Sequence, residues 1–219
     1  MFFFELAFSQ PVFYFTVVVS VIFSIVLHEL AHGWAAIWQG DDTPRATGHM
    51  TPDPITHMGG FGLAAVFLIG IGWGAMPVDP SRFRSRYGDA IVSFAGPAMN
   101  LLLAIVSLTI FGLVFRGSEA GSQVEANVRL AVFIFGWYNL VLFLFNLIPV
   151  VPLDGSRILA SFNRNYARWV HENPQVHQFL FIAMFITIMG LERTEYGLFS
   201  MTGNLAAQFI GLFGADVPF

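Results

Sequence analysis

Residues 17–38 read Val17-Val18-Val19-Ser20-Val21-Ile22-Phe23-Ser24-Ile25-Val26-Leu27-His28-Glu29-Leu30-Ala31-His32-Gly33-Trp34-Ala35-Ala36-Ile37-Trp38. The apolar run reaches back to Pro11, and a membrane-spanning helix needs about 20 such residues, so 11–38 is long enough to cross. Set inside it is the pattern H-E-x-x-H. Residues four apart share one helical face, so both imidazoles can meet one metal ion. Glu29, next to His28, can reach a water on that ion without being a ligand. Two histidines that hold the ion and a glutamate that takes the water's proton are the arrangement of a zinc hydrolase. Polar residues packed between helices and satisfied by hydrogen bonds would be the plainer reading. Ionisable groups at membrane depth are costly and functional by default, which favours the metal site.

The rest of the chain agrees with a membrane setting. Of 219 residues 56% are hydrophobic and 11% are charged, against roughly 45–50% and ~25% in a soluble domain. So few charges cannot cover so much apolar surface, which excludes soluble, disordered and collagen-like classes. The net charge is −4 and the ten basic residues are all arginine, which argues against a nucleic-acid partner. The chain has no cysteine, hence no disulfide and no thiolate metal site.

Six stretches lack Asp, Glu, Lys and Arg: 6–28, 54–78, 90–115, 130–153, 173–191 and 196–215. Residues 11–38, 90–115 and 129–150 are the strong helix candidates, with 175–191 and 196–213 weaker ones. The segment 59–77 differs, with Gly59, Gly60, Gly62, Gly70, Gly72, Gly74 and Pro77. Such glycine density weakens a helix by roughly 1 kcal/mol per residue. Non-helical backbone at membrane depth survives where protein or a wet cavity covers it. The expectation is an all-α polytopic membrane protein, a single membrane-embedded domain over 1–219. It would have about five to six transmembrane helices, with 59–77 a re-entrant loop or β-hairpin. If 59–77 does not cross, Arg45, Arg82, Arg84, Arg86, Arg157, Arg164 and Arg168 share one side, seven of the ten arginines. The positive-inside rule makes that side cytoplasmic and the chain a multi-pass protein of the cell (plasma) membrane, its site nearer the cytoplasmic face.

A catalytic zinc wants a third protein ligand and an open position. In Asn146-Leu147-Ile148-Pro149-Val150-Val151-Pro152-Leu153-Asp154-Gly155 an apolar helix runs into two prolines and stops at an acid. Prolines break the helical ladder and turn the chain. His28 lies about 15 Å inside the first helix by helical rise. Asp154 can meet it only if the broken segment stays within the membrane or the site lies in a wet cavity. Capping of a following helix is the competing role for Asp154; beside H-E-x-x-H, ligation is favoured.

These motifs resemble the site-2 protease family of intramembrane zinc metalloproteases, in a short form without PDZ or CBS domains. His28-Glu29-Leu30-Ala31-His32-Gly33 is similar to the family's first motif, and Asn146 through Gly155 to its second, N-x-x-P-x-x-P-x-D-G. Between them, Ala95-Gly96-Pro97-Ala98-Met99-Asn100 is similar to the Ala-Gly-Pro-x-x-Asn segment of the central helix. The resemblance implies a catalytic core of 11–38, 90–115 and 129–150. It implies one zinc on His28, His32 and Asp154, with Glu29 as general base. The implied substrate is a transmembrane protein or peptide cut within or near the bilayer. The family's glycine-rich region forms strands beside the active site, and a strand edge there could pair with an unwound substrate. His57-Met58-Gly59 stands where relatives often carry His-x-Asp, so any role of that Asp is missing.

Asn146 and Asn100 are amides inside apolar helices, able to bind substrate backbone or steady an oxyanion. Each could instead make an interhelical hydrogen bond of about 0.6 kcal/mol. His49 and His57 flank the glycine-rich region as solvated loop residues or entry-gate residues. Arg82-Phe83-Arg84-Ser85-Arg86 suits anchoring to anionic membrane lipid. No pattern specifies an oligomeric state. Two rival functions remain at this stage. One is a catalytically silent relative that binds membrane proteins. The other is a metal transporter or sensor, disfavoured because no second copy of the motif is found.

Overall fold

The protein is described by a computed structural model over residues 3–117, 120–191, 194 and 196–218. A 3-10 turn (Phe3–Glu5) and α1 (Leu6–Ser9) lead into α2 (Pro11–Gln39), followed by α3 (Thr43–Ala46) and α4 (Pro54–Ile69). After a second 3-10 turn come α5 (Gly88–Val114), α6 (Gln123–Asn146), α7 (Asp154–Phe162), α8 (Arg164–Glu172), α9 (Pro174–Leu191) and α10 (Leu198–Gly211). Among the described residues there is no strand.

α2, α5 and α6 are long and apolar enough to cross a membrane. Their lengths of 29, 27 and 24 residues correspond to ~36–43 Å of helix, more than the ~30 Å hydrocarbon core. The protein is a multi-pass membrane protein built on these three. α4, α9 and α10 are apolar but shorter, 16, 18 and 14 residues. The helix ends follow local chemistry. Pro11 opens α2 at a position where its missing N–H costs nothing. Gly40 closes α2 in the left-handed region at φ 100°. Asp53 accepts from the Ile55 N–H to start α4, and Ser122 accepts from the Glu125 N–H to start α6.

The bundle has two apolar centres. Val17, Val18, Val21 and Ile25 of α2 meet Met58 and Val66 of α4 and Ile134 of α6. Further along, Leu108 and Phe111 of α5 and Phe133 of α6 hold Ala206 and Ile210 of α10. Outward faces are equally apolar: Phe15, Val19 and Phe23 on α2 and Leu102, Ile105, Ile110 and Leu113 on α5 are exposed. That is the surface a helix presents to lipid, where backbone polar groups are satisfied internally.

The glycine-rich segment takes the expected re-entrant path in a different form. It is a helix and an extended arm, not a β-hairpin. α4 runs inward, Gly70 caps it at φ 72°, and residues 70–75 return until the Ala75 N–H donates to the His57 carbonyl (3.0 Å). α4, kinked at Gly59 (φ 63°), leads out to Gly70, and residues 70–75 lead back to its start. The glycines fall in two groups, Gly59, Gly60 and Gly62 inside α4 and Gly70, Gly72 and Gly74 at its end and in the arm. Between them, Leu63-Ala64-Ala65-Val66-Phe67-Leu68-Ile69 has none and stays helical.

One end of the bundle gathers most of the arginines. The Arg84 N–H donates to the Gln39 carbonyl (2.8 Å) at the end of α2. Arg157 of α7 pairs with Asp89 at the start of α5 (2.7 Å). Tyr166 of α8, between Arg164 and Arg168, donates to the Pro149 carbonyl (2.8 Å). Asp41, fully buried, ties two loops together: it accepts from the Thr43 N–H (3.0 Å) and hydroxyl (2.5 Å) and from the Asp79 N–H (2.7 Å).

Candidate metal centre

His28 and His32 lie one turn apart on α2, and Asp154 begins α7. His28 Nε2 is 3.0 Å from His32 Nε2, and Asp154 Oδ2 is 3.1 and 3.4 Å from the two nitrogens. Zinc bonds of ~2.0–2.1 Å in a tetrahedron require ligand atoms ~3.3 Å apart. The three atoms, two nitrogens and one carboxylate oxygen, thus have the spacing that three ligands of one such ion would need. All three side chains are largely buried.

Asp154 reaches this depth because of the break before it. α6 ends at Asn146, and turns at 147–153 carry the chain to α7 with the Val151–Pro152 peptide cis. A Cβ on Gly155 would lie 2.2 Å from the Leu147 carbonyl oxygen, so the chain doubles back on itself where only glycine fits. Arg157, one turn beyond Asp154, is held by Asp89 of α5. The break thus stays at the level of His28 and His32, as ligation demanded.

Both imidazoles are oriented from behind. His32 Nδ1 donates to the Val92 carbonyl of α5 (2.7 Å) and His28 Nδ1 to Asn100 Oδ1 (2.6 Å). Each Nε2 is thereby left with its lone pair towards the triangle, the outer-shell pattern of metal-ligating histidine. Asn100 Nδ2 donates to Asn139 Oδ1 (2.9 Å). Asn139 Nδ2 donates to Ser24 Oγ (2.8 Å) and to the Phe135 carbonyl (2.8 Å). Gly96 supplies room: a Cβ there would stand 2.4 Å from His32 Nε2 and 2.5 Å from His28 Nε2. The donor set, its spacing and this cradle fit a zinc ion.

Glu29 is buried beside His28. The extended arm passes over it so closely that a Cβ on Gly74 would be 2.6 Å from its Oε1. On the loop side, Met50 and Met76 pack against Gly33, next to His32. A surface groove of about 530 Å³ lies elsewhere, between Phe15, Val19, Phe23, Ser107 and Phe135, and no titratable group lines it.

The structure brings His28, His32 and Asp154 together with Glu29 alongside. Asn100 is fully buried and both ends of its amide are engaged, with His28 and Asn139, which suits orienting a ligand better than contacting substrate. Asn146 closes α6, half-buried, and donates to the Leu142 carbonyl (3.0 Å). His49 bonds within its own loop to Thr47, and buried His57 reaches the Thr51 carbonyl through Nε2 (2.7 Å). Sequence reading passed over Asn139, Ser24 and the Arg157–Asp89 pair. Asn139 carried the same signal as Asn146, an amide in an apolar run. Nothing marked Asp89 or Ser24.

Comparison with known proteins bears on this geometry. The model of peptidase family M50 matches residues 16–124 and 114–191. A Bacillus subtilis (strain 168) protein named "Putative zinc metalloprotease YwhC" is 34% identical over 202 residues, 90% of each chain. A Mycobacterium tuberculosis (strain ATCC 25618 / H37Rv) protein named "Putative zinc metalloprotease Rip2" is 29% identical over 205 residues, 87% of this chain and 73% of that one. No solved structure matches the chain.

Proposed function

The chain belongs to peptidase family M50, and on that premise we propose that this membrane metalloprotease is an intramembrane endopeptidase of the site-2 type. It hydrolyses a peptide bond within or near the transmembrane segment of another membrane protein. The observation that carries the reading is the triangle of His28, His32 and Asp154, 3.0–3.4 Å on a side, with Glu29 one residue from a ligand inside a helix long enough to span.

His28, His32 and Asp154 would hold one zinc per chain. Bound there, zinc supplies Lewis acidity, polarising the scissile carbonyl and making water a nucleophile near pH 7. Glu29 accepts the proton of the attacking water and delivers it to the leaving amine, so that one water is consumed and a carboxylic acid and an amine are released. The buried surroundings of Glu29 exclude bulk water from competing for that proton. Asn146, at the head of the turn leading to Asp154, would bind substrate backbone. The arginine-rich end is assigned to the cytoplasm by the positive-inside rule, in the plasma membrane.

The test is zinc content of detergent-purified protein beside cleavage of single-span proteins in reconstituted vesicles. Wild type should carry about one zinc per chain, and Asp154→Ala should lose most of it. Glu29→Gln should keep zinc and lose roughly 10²–10⁴ in turnover. Equal zinc in wild type and Asp154→Ala would overturn the ligand set. Unchanged turnover in Glu29→Gln would overturn the general base, and zinc binding without cleavage of any substrate would favour a silent binding relative.

A further inference from the structure

The two ligand histidines are oriented by different means. His32 donates straight to a backbone carbonyl, that of Val92. His28 donates to a side-chain amide, and an amide can be turned round. Asn100 presents an oxygen at one end and an NH2 at the other. With its NH2 towards His28, Nδ1 would have to be the acceptor and Nε2 would carry the hydrogen, closing the lone pair a metal needs. Something must hold Asn100 the right way round.

The hydrogen bonds beyond Asn100 supply it. Asn139 sits on α6, fully buried, at the end of Asn100 remote from His28. One of its amide ends lies 2.8 Å from the Phe135 carbonyl, one turn earlier in the same helix. A carbonyl oxygen only accepts, so the end facing it must be the NH2. That leaves Oδ1 of Asn139 facing Asn100, which must then answer with its own NH2. Asn100 Oδ1 is in turn committed to His28. Ser24, fully buried on α2, takes the second N–H of Asn139 (2.8 Å) and fixes the tilt of the amide without setting its polarity.

We propose that Asn139 is a positioning residue for the metal site, relaying the polarity of the Phe135 carbonyl through Asn100 to select the metal-binding tautomer of His28. The relay joins all three spanning helices, α6 to α5 to α2, so it also makes ligand orientation depend on their packing. It rests on the zinc reading above.

The test is zinc affinity, read by competition with a fluorescent chelator, with helical content by circular dichroism checking the fold. Asn139→Ala should bind zinc roughly tenfold more weakly than wild type, the size of effect that outer-shell partners have. Asn100→Asp presents an acceptor oxygen whichever way it turns, so it needs no relay. The double variant Asn100→Asp/Asn139→Ala should therefore recover most of the affinity lost in Asn139→Ala. A packing defect at position 139 would persist in the double variant. Ser24→Ala should change affinity less than Asn139→Ala, since the Phe135 anchor remains. If Asn139→Ala does not fold, Asn139→Leu makes the same comparison. Affinity equal to wild type in the single variant, or no recovery in the double, overturns the proposal while leaving the zinc reading intact. A wild type that binds no zinc overturns both.

Discussion

The helical bundle and the re-entrant unit both deliver groups to one site, but they do so by opposite means. In the bundle, side chain meets side chain: His28, Asn100, Asn139 and Ser24 come from three helices and satisfy one another in a chain of hydrogen bonds. In the re-entrant unit, main chain meets side chain: Gly72 lies against Val66, Met58 and Ile25, and Gly74 against Glu29, where no Cβ would fit. Buried polar groups must be paired wherever they are. The bundle pairs them with amides, whereas the re-entrant unit gives up side chains to bring the backbone close.

Gly96→Ala tests the bundle most severely. Its Cβ would fall 2.4–2.5 Å from both ligand nitrogens. Zinc affinity should fall by more than the roughly 10–100-fold cost of a lost outer-shell partner, measured by chelator competition. Gly74→Ala tests the arm, with its Cβ 2.6 Å from Glu29 Oε1. Zinc should be retained while turnover drops by roughly 100-fold, the cost of misplacing a catalytic group by about 1 Å. Loss of zinc in Gly74→Ala would erase the distinction between the two regions.

Arg157→Met asks whether α7 needs its tie to α5. The Arg157 and Asp89 side chains are 40% and 34% exposed, so screening limits the pair to about 1 kcal/mol, or about fivefold in zinc affinity. An effect confined to the loops, away from the zinc site, concerns Asp41, which binds the loop after α2 to the loop before α5. Burial pushes its carboxyl up, but the Thr43 hydroxyl, the Asp79 and Thr43 N–H groups and Arg82 outweigh this and hold it below the ordinary 3.8. The stability it contributes is therefore fully present above 3.8 and is lost as pH falls through the lower folded value. Limited proteolysis of residues 40–53 should be constant from neutral pH to about 5 and rise only below 3.8. Asp41→Asn, turning an N–H towards a backbone N–H, should loosen the same loop at neutral pH by about 2 kcal/mol.

How far the sequence could be read follows the range of the interactions involved. The spans were legible because apolar length is a local property; 11–38 and 90–115 differ from α2 and α5 by no more than two residues at either end. α6 begins earlier than 129, at Gln123, because Ser122 caps it and Glu125 pairs with Arg129, so charges inside the helix are neutralised locally. The 59–77 segment was legible as re-entrant but not as helical, since its glycines fall in two groups, the first kinking α4 at Gly59, and leave 63–69 between them to ordinary helix formers.

The sequence alone determined that two histidines one turn apart share a face, that Glu29 accompanies them, and that two prolines end the third helix just before an acid. These are consequences of helical period and of proline's missing N–H, and they hold whatever surrounds them. Only the tertiary structure decided that Asp154 lies at the depth of the histidines, that Gly96 and Gly74 leave the space the site occupies, and that Asn100 faces His28 with its oxygen. Asn100 finds its partners 72 and 39 residues away along the chain. The orientation of a buried amide is set by what lies across from it, and no local pattern records that.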